Sequence, residues 1–287
     1  MSGNNTGAAV TLKPSRFGLA SVLGLWLPLA VIVLWALVAL TASFLPLAPD
    51  QIALEHILLP PGSGLWLGAD DLGRSLAERT LVGAQTSFIV AVWVVLVSTV
   101  VGTAIGTLSG YLGGSWDLLV VRIIDIFLAF PGILLAIALA GILGPGIENV
   151  VIALSVVGWV GYARLARAQV LSLKHREHVQ AAIALGAGTG RIVFRHLLPL
   201  LMAPLIVEAS FGIAGIVIAE AGLSFLGLGV QPPEASWGSM IRDGARYLLV
   251  APHMVLVPGA ALMLVVLSVN LLGDRLRDKL DVRNRKR

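Results

Sequence analysis

Gln180-Ala-Ala-Ile-Ala-Leu-Gly186, continued by Ala187-Gly-Thr-Gly-Arg-Ile-Val-Phe-Arg-His-Leu-Leu-Pro199, is a basic segment rich in alanine and glycine between long apolar runs. Outward from it, the chain changes character. No charged residue occurs from Phe17 to Pro49 or from Thr80 to Trp116. Each run exceeds the roughly 20 apolar residues a helix needs to cross a bilayer. The segment around Gly186 is therefore the part that stays out of lipid and is free to touch something else.

The totals agree. Of 287 residues, 57% are hydrophobic and 13% charged, and the mean hydropathy is +0.92. Soluble globular chains carry about 25% charge, so this surface is not built for water alone. A net charge of +4 would suit nucleic acid in a soluble protein, but in a membrane protein cationic excess marks the loops that set orientation. No nucleic-acid partner is expected. With no cysteine, disulfides and thiolate metal sites are excluded.

Hydropathy and charge predict an all-α integral membrane protein with six transmembrane helices. The first starts near Phe17; the others cover about Thr86–Leu108, Leu118–Leu143, Asn149–Val170, Leu205–Leu228 and Val250–Leu272. The first run is too long for the roughly 7–15-residue core of a signal peptide, so it reads as a retained span, cleavage after Ala39–Ser43 being the alternative. If the N-terminus lies inside, only Arg74, Arg79, Arg242 and Arg246 of the 20 basic residues fall outside. The positive-inside rule then puts both termini and the Gly186 segment in the cytoplasm. The chain divides into an N-terminal tail (1–16), a first helix with its outer loop (17–75), a five-helix core (80–273) holding the cytoplasmic segment 174–200, and a basic tail (274–287).

Within that segment, Val179, Ala182 and Ile183 make a narrow apolar stripe, and glycines at 186, 188 and 190 interrupt it. Two short helices joined by an elbow are expected, with Thr189 as N-cap of the second. Gly186-x-Gly188-x-Gly190 is neither a dinucleotide fingerprint nor a Gly-x-x-x-x-Gly-Lys-[Ser/Thr] phosphate loop, and no such loop occurs in the chain. ATP is not bound here by that route. A solvated loop that merely obeys the orientation rule is the competing reading.

Gln180-Ala-Ala-x3-Gly186-x9-His196-x-Leu198-Pro199 resembles the EAA motif of permease subunits of bacterial ABC importers. That pattern has Glu where Gln180 stands and Ile where His196 stands. Trp66-Leu-Gly-Ala-Asp-Asp-Leu-Gly-Arg74, Gly110-Tyr-Leu-Gly-Gly114, Arg122-x-x-Asp125 with Ala129-Phe-Pro131, and Gly161-Tyr-Ala-Arg164 resemble the dipeptide/oligopeptide/nickel permeases. So do Ala219 to Pro233, Ser236-Trp-Gly-Ser-Met240 and Asn270-Leu-Leu-Gly-Asp274, and the likeness is to the C-type subunit.

The resemblance implies a type I importer fold and an inner-membrane permease for di- or oligopeptides, without catalytic residues. It implies a B-type permease, two ATPase subunits that use ATP and Mg, and an extracytoplasmic substrate-binding protein as partners. Gln180, Ala181, Ala182, Gly186, Arg191, Arg195, His196, Leu198 and Pro199 would then form the ATPase-coupling segment. No cofactor or metal is expected on this chain.

Glu208, Glu220 and Asp125 are candidate translocation-path residues. Carboxylates at mid-bilayer cost about 2.5–3.5 kcal/mol on insertion scales, so each needs a purpose or a partner. For Glu220 and Glu208 the structural reading is an inter-helix hydrogen bond, or for Glu208 simply a place near the cytoplasmic interface, and for Asp125 it is an ion pair with Arg122. Gln231, Trp237 and Met240 are candidate contacts for the binding protein, or, for Trp237, a headgroup anchor. A nickel or other small-solute permease is the alternative within the family. A proton-coupled transporter using the three carboxylates is the rival mechanism, and a non-transporting scaffold the rival class.

Overall fold

The computed structural model describes residues 19–280, with side chains from Trp26 onward. The tail 1–16 and Arg283, Arg285, Lys286 and Arg287 lie outside the described residues. Among those described, every regular segment is helical except for a single bridge between Ala69 and Ser75.

The helices are α1 (Leu19–Thr41), α2 (Leu76–Leu112), α3 (Gly114–Leu128), α4 (Gly132–Leu143), α5 (Ile147–Leu173), α6 (Glu177–Ala184), α7 (Thr189–Arg191), α8 (Leu198–Phe225), α9 (Trp237–Ala245) and α10 (His253–Leu280). A π-helical turn, Ile192–Leu197, joins α7 to α8, so one apolar helix runs unbroken from Thr189 to Phe225. Five helices are long and apolar enough to cross a membrane, and the bent pair α3 with α4 makes a sixth span if it crosses as one.

The break falls inside the span expected over about Leu118–Leu143. Pro131 lacks an N–H and disfavours helical geometry at Phe130. The chain bends by 86° between α3 and α4. The pair still runs from one end of the bundle to the other. Beside the start of α3, Lys174 Nζ donates to the Gly110 carbonyl at 2.9 Å. Arg167 grips Asp117 through two bonds of 2.6 and 2.7 Å. After α4, the Gly146 N–H donates to the Leu228 carbonyl at 3.1 Å, beside the far end of α8.

The second span is also longer than its hydropathy implies. Ser75 caps α2 by accepting from the Glu78 N–H, ten residues before the expected start, and the helix continues for 37 residues. At 1.5 Å per residue that is about 55 Å, well beyond a hydrocarbon core of about 30 Å. Its extra turns pack on protein: Trp237 of α9 lies against Gly83, and Trp35 of α1 donates to the Ala84 carbonyl at 3.0 Å. Trp35, Phe88 and Trp237 stack with centroids 5.2 and 6.4 Å apart. The first helix thus shares a core with α2, α8, α9 and α10.

α2 and α5 form the central pair. Gly102, Gly106 and Gly110 follow one another at four-residue steps along one face of α2. A side chain at Gly102 or Gly106 would run into the backbone of Trp159 or Ala163, and at Gly110 a Cβ would lie 3.0 Å from the Arg167 carbonyl. Lipid supplies no hydrophobic drive for helix association, so such close approach supplies the attraction instead. Gly106→Val should therefore lower the melting temperature of the detergent-purified protein sharply, at a cost of about 1–3 kcal/mol or more. Gly141→Val, at a site with nothing within 4 Å, should leave it nearly unchanged. Equal melting curves would refute the packing argument.

Candidate functional site: the exposed elbow and the buried polar groups

At the α5 end of the bundle, α6 and α7 stand clear of the spans as two helical pieces around Gly186. The turn between them is a Schellman motif: Gly186 N–H donates to Ile183 O at 2.9 Å and Ala187 N–H to Ala182 O at 3.0 Å. Gly186 sits at φ +79°, in the left-handed region, where an L side chain costs about 1–2 kcal/mol. No atom lies within 4 Å of its would-be Cβ, so the requirement for glycine is one of backbone and not of space. The N-cap of α7 is Gly188, and Thr189 is its first residue, contrary to the capping role read from sequence.

The elbow has an anchored side and an open side. Val179, Ile192 and Leu197 are buried with Tyr162, Val170 and Leu201, which ties the segment to α5 and α8. Gln180, Ala181, Gly186, Arg191, Arg195 and Pro199 are exposed, and Ala182, His196 and Leu198 are half-buried. Leu185 is 88% and Phe194 71% exposed, so apolar tips stand among the basic side chains. Gln180 donates to the Lys174 carbonyl at 2.7 Å, bracing α6 against the end of α5. His178 and His196 face each other with ring centroids 6.4 Å apart.

The π-helical turn has a local cause. In a regular helix the Pro199 ring would clash with the carbonyl of Arg195, and widening the preceding turn relieves that clash.

The opposite end is clamped by ions. Asp70 accepts from Arg74 Nε at 2.7 Å, with Arg79 Nε 3.5 Å away. Arg79 Nη1 also donates to Asp50, at 3.0 Å, and to the carbonyls of Pro49 and Pro233. One buried guanidinium thus joins the loop after α1, the start of α2 and the loop after α8. Burial, with Asp70 beside it, pushes the neighbouring Asp71 carboxyl above its ordinary value.

Trp237 and Met240, expected as contacts for a binding protein, are instead buried, Trp237 at 2% exposure. Trp237 donates to the Thr80 carbonyl at 3.0 Å, and Ser236 with Ser239 forms a capping box that starts α9. The indole therefore locks α9 to α2 and does not sit at a headgroup surface. Only Gln231 of the three is exposed, with its amide bonded to the Gly227 and Gly229 carbonyls.

The three carboxylates are not brought together. Glu220 is 1% exposed and accepts from Ser87 and Ser224, each at 2.8 Å, which makes it an inter-helix bond between α2 and α8. Asp125 is exposed on α3, and among the described residues it makes no ion pair with Arg122. Glu208 is exposed toward a cavity of about 510 Å³ that also receives Gln169 and Arg277. Sequence reasoning missed Gln169, Arg277 and the Asp117–Arg167 pair, whose members come from distant parts of the chain.

The helical bundle carries an exposed glycine elbow between two spans, the feature that the resemblance to importer permeases leads one to expect. The chain belongs to the family described as binding-protein-dependent transport system inner membrane component, whose model matches residues 102–286. Among its curated relatives is the dipeptide transport system permease protein DppC of Alkalihalophilus pseudofirmus, 42% identical over 246 residues, covering 84% of this chain and 81% of that protein. The glutathione transport system permease protein GsiD of Escherichia coli is 41% identical over 252 residues, covering 87% and 83%.

Among solved structures, the methionine ABC transporter MetNI in an inward-facing conformation matches with a TM-score of 0.56 at 18% identity, over 71% of this chain and 95% of that one. The fold is thus that of type I ABC importer permeases, and the chain is a multi-pass protein of the bacterial inner membrane.

Because Arg79 joins three segments, Arg79→Met should destabilise the protein by about 1–3 kcal/mol, chiefly by leaving the Pro49 and Pro233 carbonyls without their donor, since Asp70 keeps Arg74 and Asp50 is exposed. Thermal unfolding of the purified protein checks this. A melting temperature within a degree of the wild type would contradict the clamp.

Proposed function

We propose that this chain is the C-type permease subunit of an ATP-driven importer for short peptides, and that the Gly186 elbow docks on an ATPase subunit in the cytoplasm. The observation that carries the proposal is the elbow. A Schellman turn at Gly186 holds exposed basic and apolar side chains away from the spans, on a segment anchored to both α5 and α8.

Charge supports the orientation: Lys174, Arg176, Arg191 and Arg195 cluster at the elbow end, as the positive-inside rule requires of the cytoplasmic side. The end of α1 and the start of α10 both lie beside the start of α2, away from the elbow, which supports the expectation of cytoplasmic termini. Relatives named for dipeptide and glutathione transport support a short-peptide cargo. Nickel or another small solute is the alternative cargo.

In this assembly a B-type permease completes the pore, two ATPases consume ATP and Mg beneath it, and a substrate-binding protein delivers cargo from outside. The permease performs no bond chemistry. It changes shape, and ATPase closure shifts its population because the docked elbow makes different contacts in the two states. Glu220 takes no part in a proton relay in this reading, since its oxygens are engaged by Ser87 and Ser224.

Replacing Gly186 tests the coupling. Gly186→Glu should abolish dipeptide uptake and co-purification of the ATPases while membrane insertion is kept. Gly186→Asn, which tolerates the left-handed region, should retain most of both. Normal uptake by the glutamate variant would sink the coupling role. Uptake that persists without any ATPase but collapses with the proton gradient would instead establish a secondary transporter.

A further inference from the structure

Near the elbow end of the bundle, α5, α8 and α10 line an open cavity of about 510 Å³, with Gln169, Glu208, Arg277, Pro204, Phe211 and Leu280 among its walls and both charged residues exposed. Glu208 comes from α8 and Arg277 from α10. Both face this one space, yet among the described ion pairs neither takes part in any. Two opposite charges that share a cavity but leave each other unpaired are matched by a ligand carrying the complementary pair. A carboxylate and a guanidinium beside low-dielectric walls gain most when each is hydrogen-bonded to an opposite charge.

The depth narrows the ligand. Glu208 lies 17 residues before Phe225, the far end of α8, or about 25 Å along the helix. Gln169 and Arg277 lie within about one turn of the elbow-side ends of α5 (Leu173) and α10 (Leu280), so the cavity opens toward the elbow side of the bundle. The remaining wall is apolar, with Leu165, Val207, Phe211 and Leu280 able to receive a hydrocarbon chain or an apolar side chain.

We propose that this cavity binds a zwitterion, with its primary ammonium at Glu208, its anionic group at Arg277, and the Gln169 amide offering a donor and an acceptor between them. Two sources carry that chemistry: the headgroup of an aminophospholipid from the surrounding leaflet, and a short peptide with free termini. The second source rests on the import reading, and the first does not.

The experiment uses the purified importer complex, wild type and with Glu208→Gln or Arg277→Gln. In one arm, native mass spectrometry compares retention of phosphatidylethanolamine with that of phosphatidylcholine, whose quaternary nitrogen has no N–H to donate. In the other, the thermal shift produced by alanyl-alanine is compared with that of its N-acetylated, amidated form, which carries neither charge.

The expected result is a preference for the zwitterion with the free ammonium, in one arm or both, of about tenfold in affinity, the factor one charge-assisted hydrogen bond supplies. Glu208→Gln should erase it in both arms; Arg277→Gln should remove the share due to the free carboxylate in the peptide arm and lower retention of both lipids alike, since both carry the phosphate. Gln169→Ala, which keeps both charges, should weaken the preference without removing it, and this separates ligand loss from misfolding. The arm that responds identifies the source. No preference in the wild type, a preference that survives Glu208→Gln, or retention and thermal shift both unaffected by Arg277→Gln overturns the site. Dipeptide uptake by the same wild-type complex is measured alongside, so a failed zwitterion site with intact uptake leaves the import reading standing.

Discussion

The contact between α2 and α5 is the constraint on which the rest of the bundle depends. In water, two apolar helices are pushed together by their burial; in lipid, the tails are as apolar as the side chains and give no such push. What remains is close packing, and Gly102, Gly106 and Gly110 provide it by letting backbone meet backbone over three successive turns. Everything else is placed relative to that pair. The Arg167–Asp117 bonds fasten the start of α3 to α5, and the Lys174–Gly110 bond ties the end of α5 to α2. Glu220, bonded to Ser87, fastens α8 along the same helix.

Polar groups in this molecule serve two ends. Several charges away from solvent are paired: Glu220 with hydroxyls, Asp70 with two guanidiniums, and the partly buried Asp117 with Arg167. Removing either member would leave the other stranded, which explains why such pairs act as fasteners and not as moving parts. The charges on the elbow, and Glu208 with Arg277 at the cavity, are left open. The distinction between engaged and open charges therefore separates what holds the fold from what is available to partners and ligands.

Much of this was legible in the sequence, for reasons of range. Spans are contiguous, so Phe17–Pro49 and Thr80–Trp116 announced themselves by the absence of charge. The elbow was legible because its glycine, its prolines and its spacing lie within twenty residues. Pairings across long separations were not: Ser87 and Glu220 stand 133 residues apart and Asp117 and Arg167 stand 50 apart, and nothing local marks either partner. Pro131 was visible, but hydropathy continues unbroken through it and hides an 86° bend. Trp237 was misread because an indole suits a headgroup surface and a tight core equally well. Only the Thr80 carbonyl and the bare face of Gly83 decide between them.

The helix that starts at Thr189 beside the elbow does not stop until Phe225. Thirty-seven residues at 1.5 Å make a rod of about 55 Å, long enough to pass through the whole bilayer. Its near end is short and exposed; just beyond its far end the Leu228 carbonyl holds the Gly146 amide. Such a rod is a lever. Pivoted near one end, a tilt of about 5° would carry the other end through roughly 5 Å, about the rise of one helical turn. A movement at the elbow too small to unfold anything is thereby large enough, on the other side of the membrane, to exchange one set of side-chain contacts for the next.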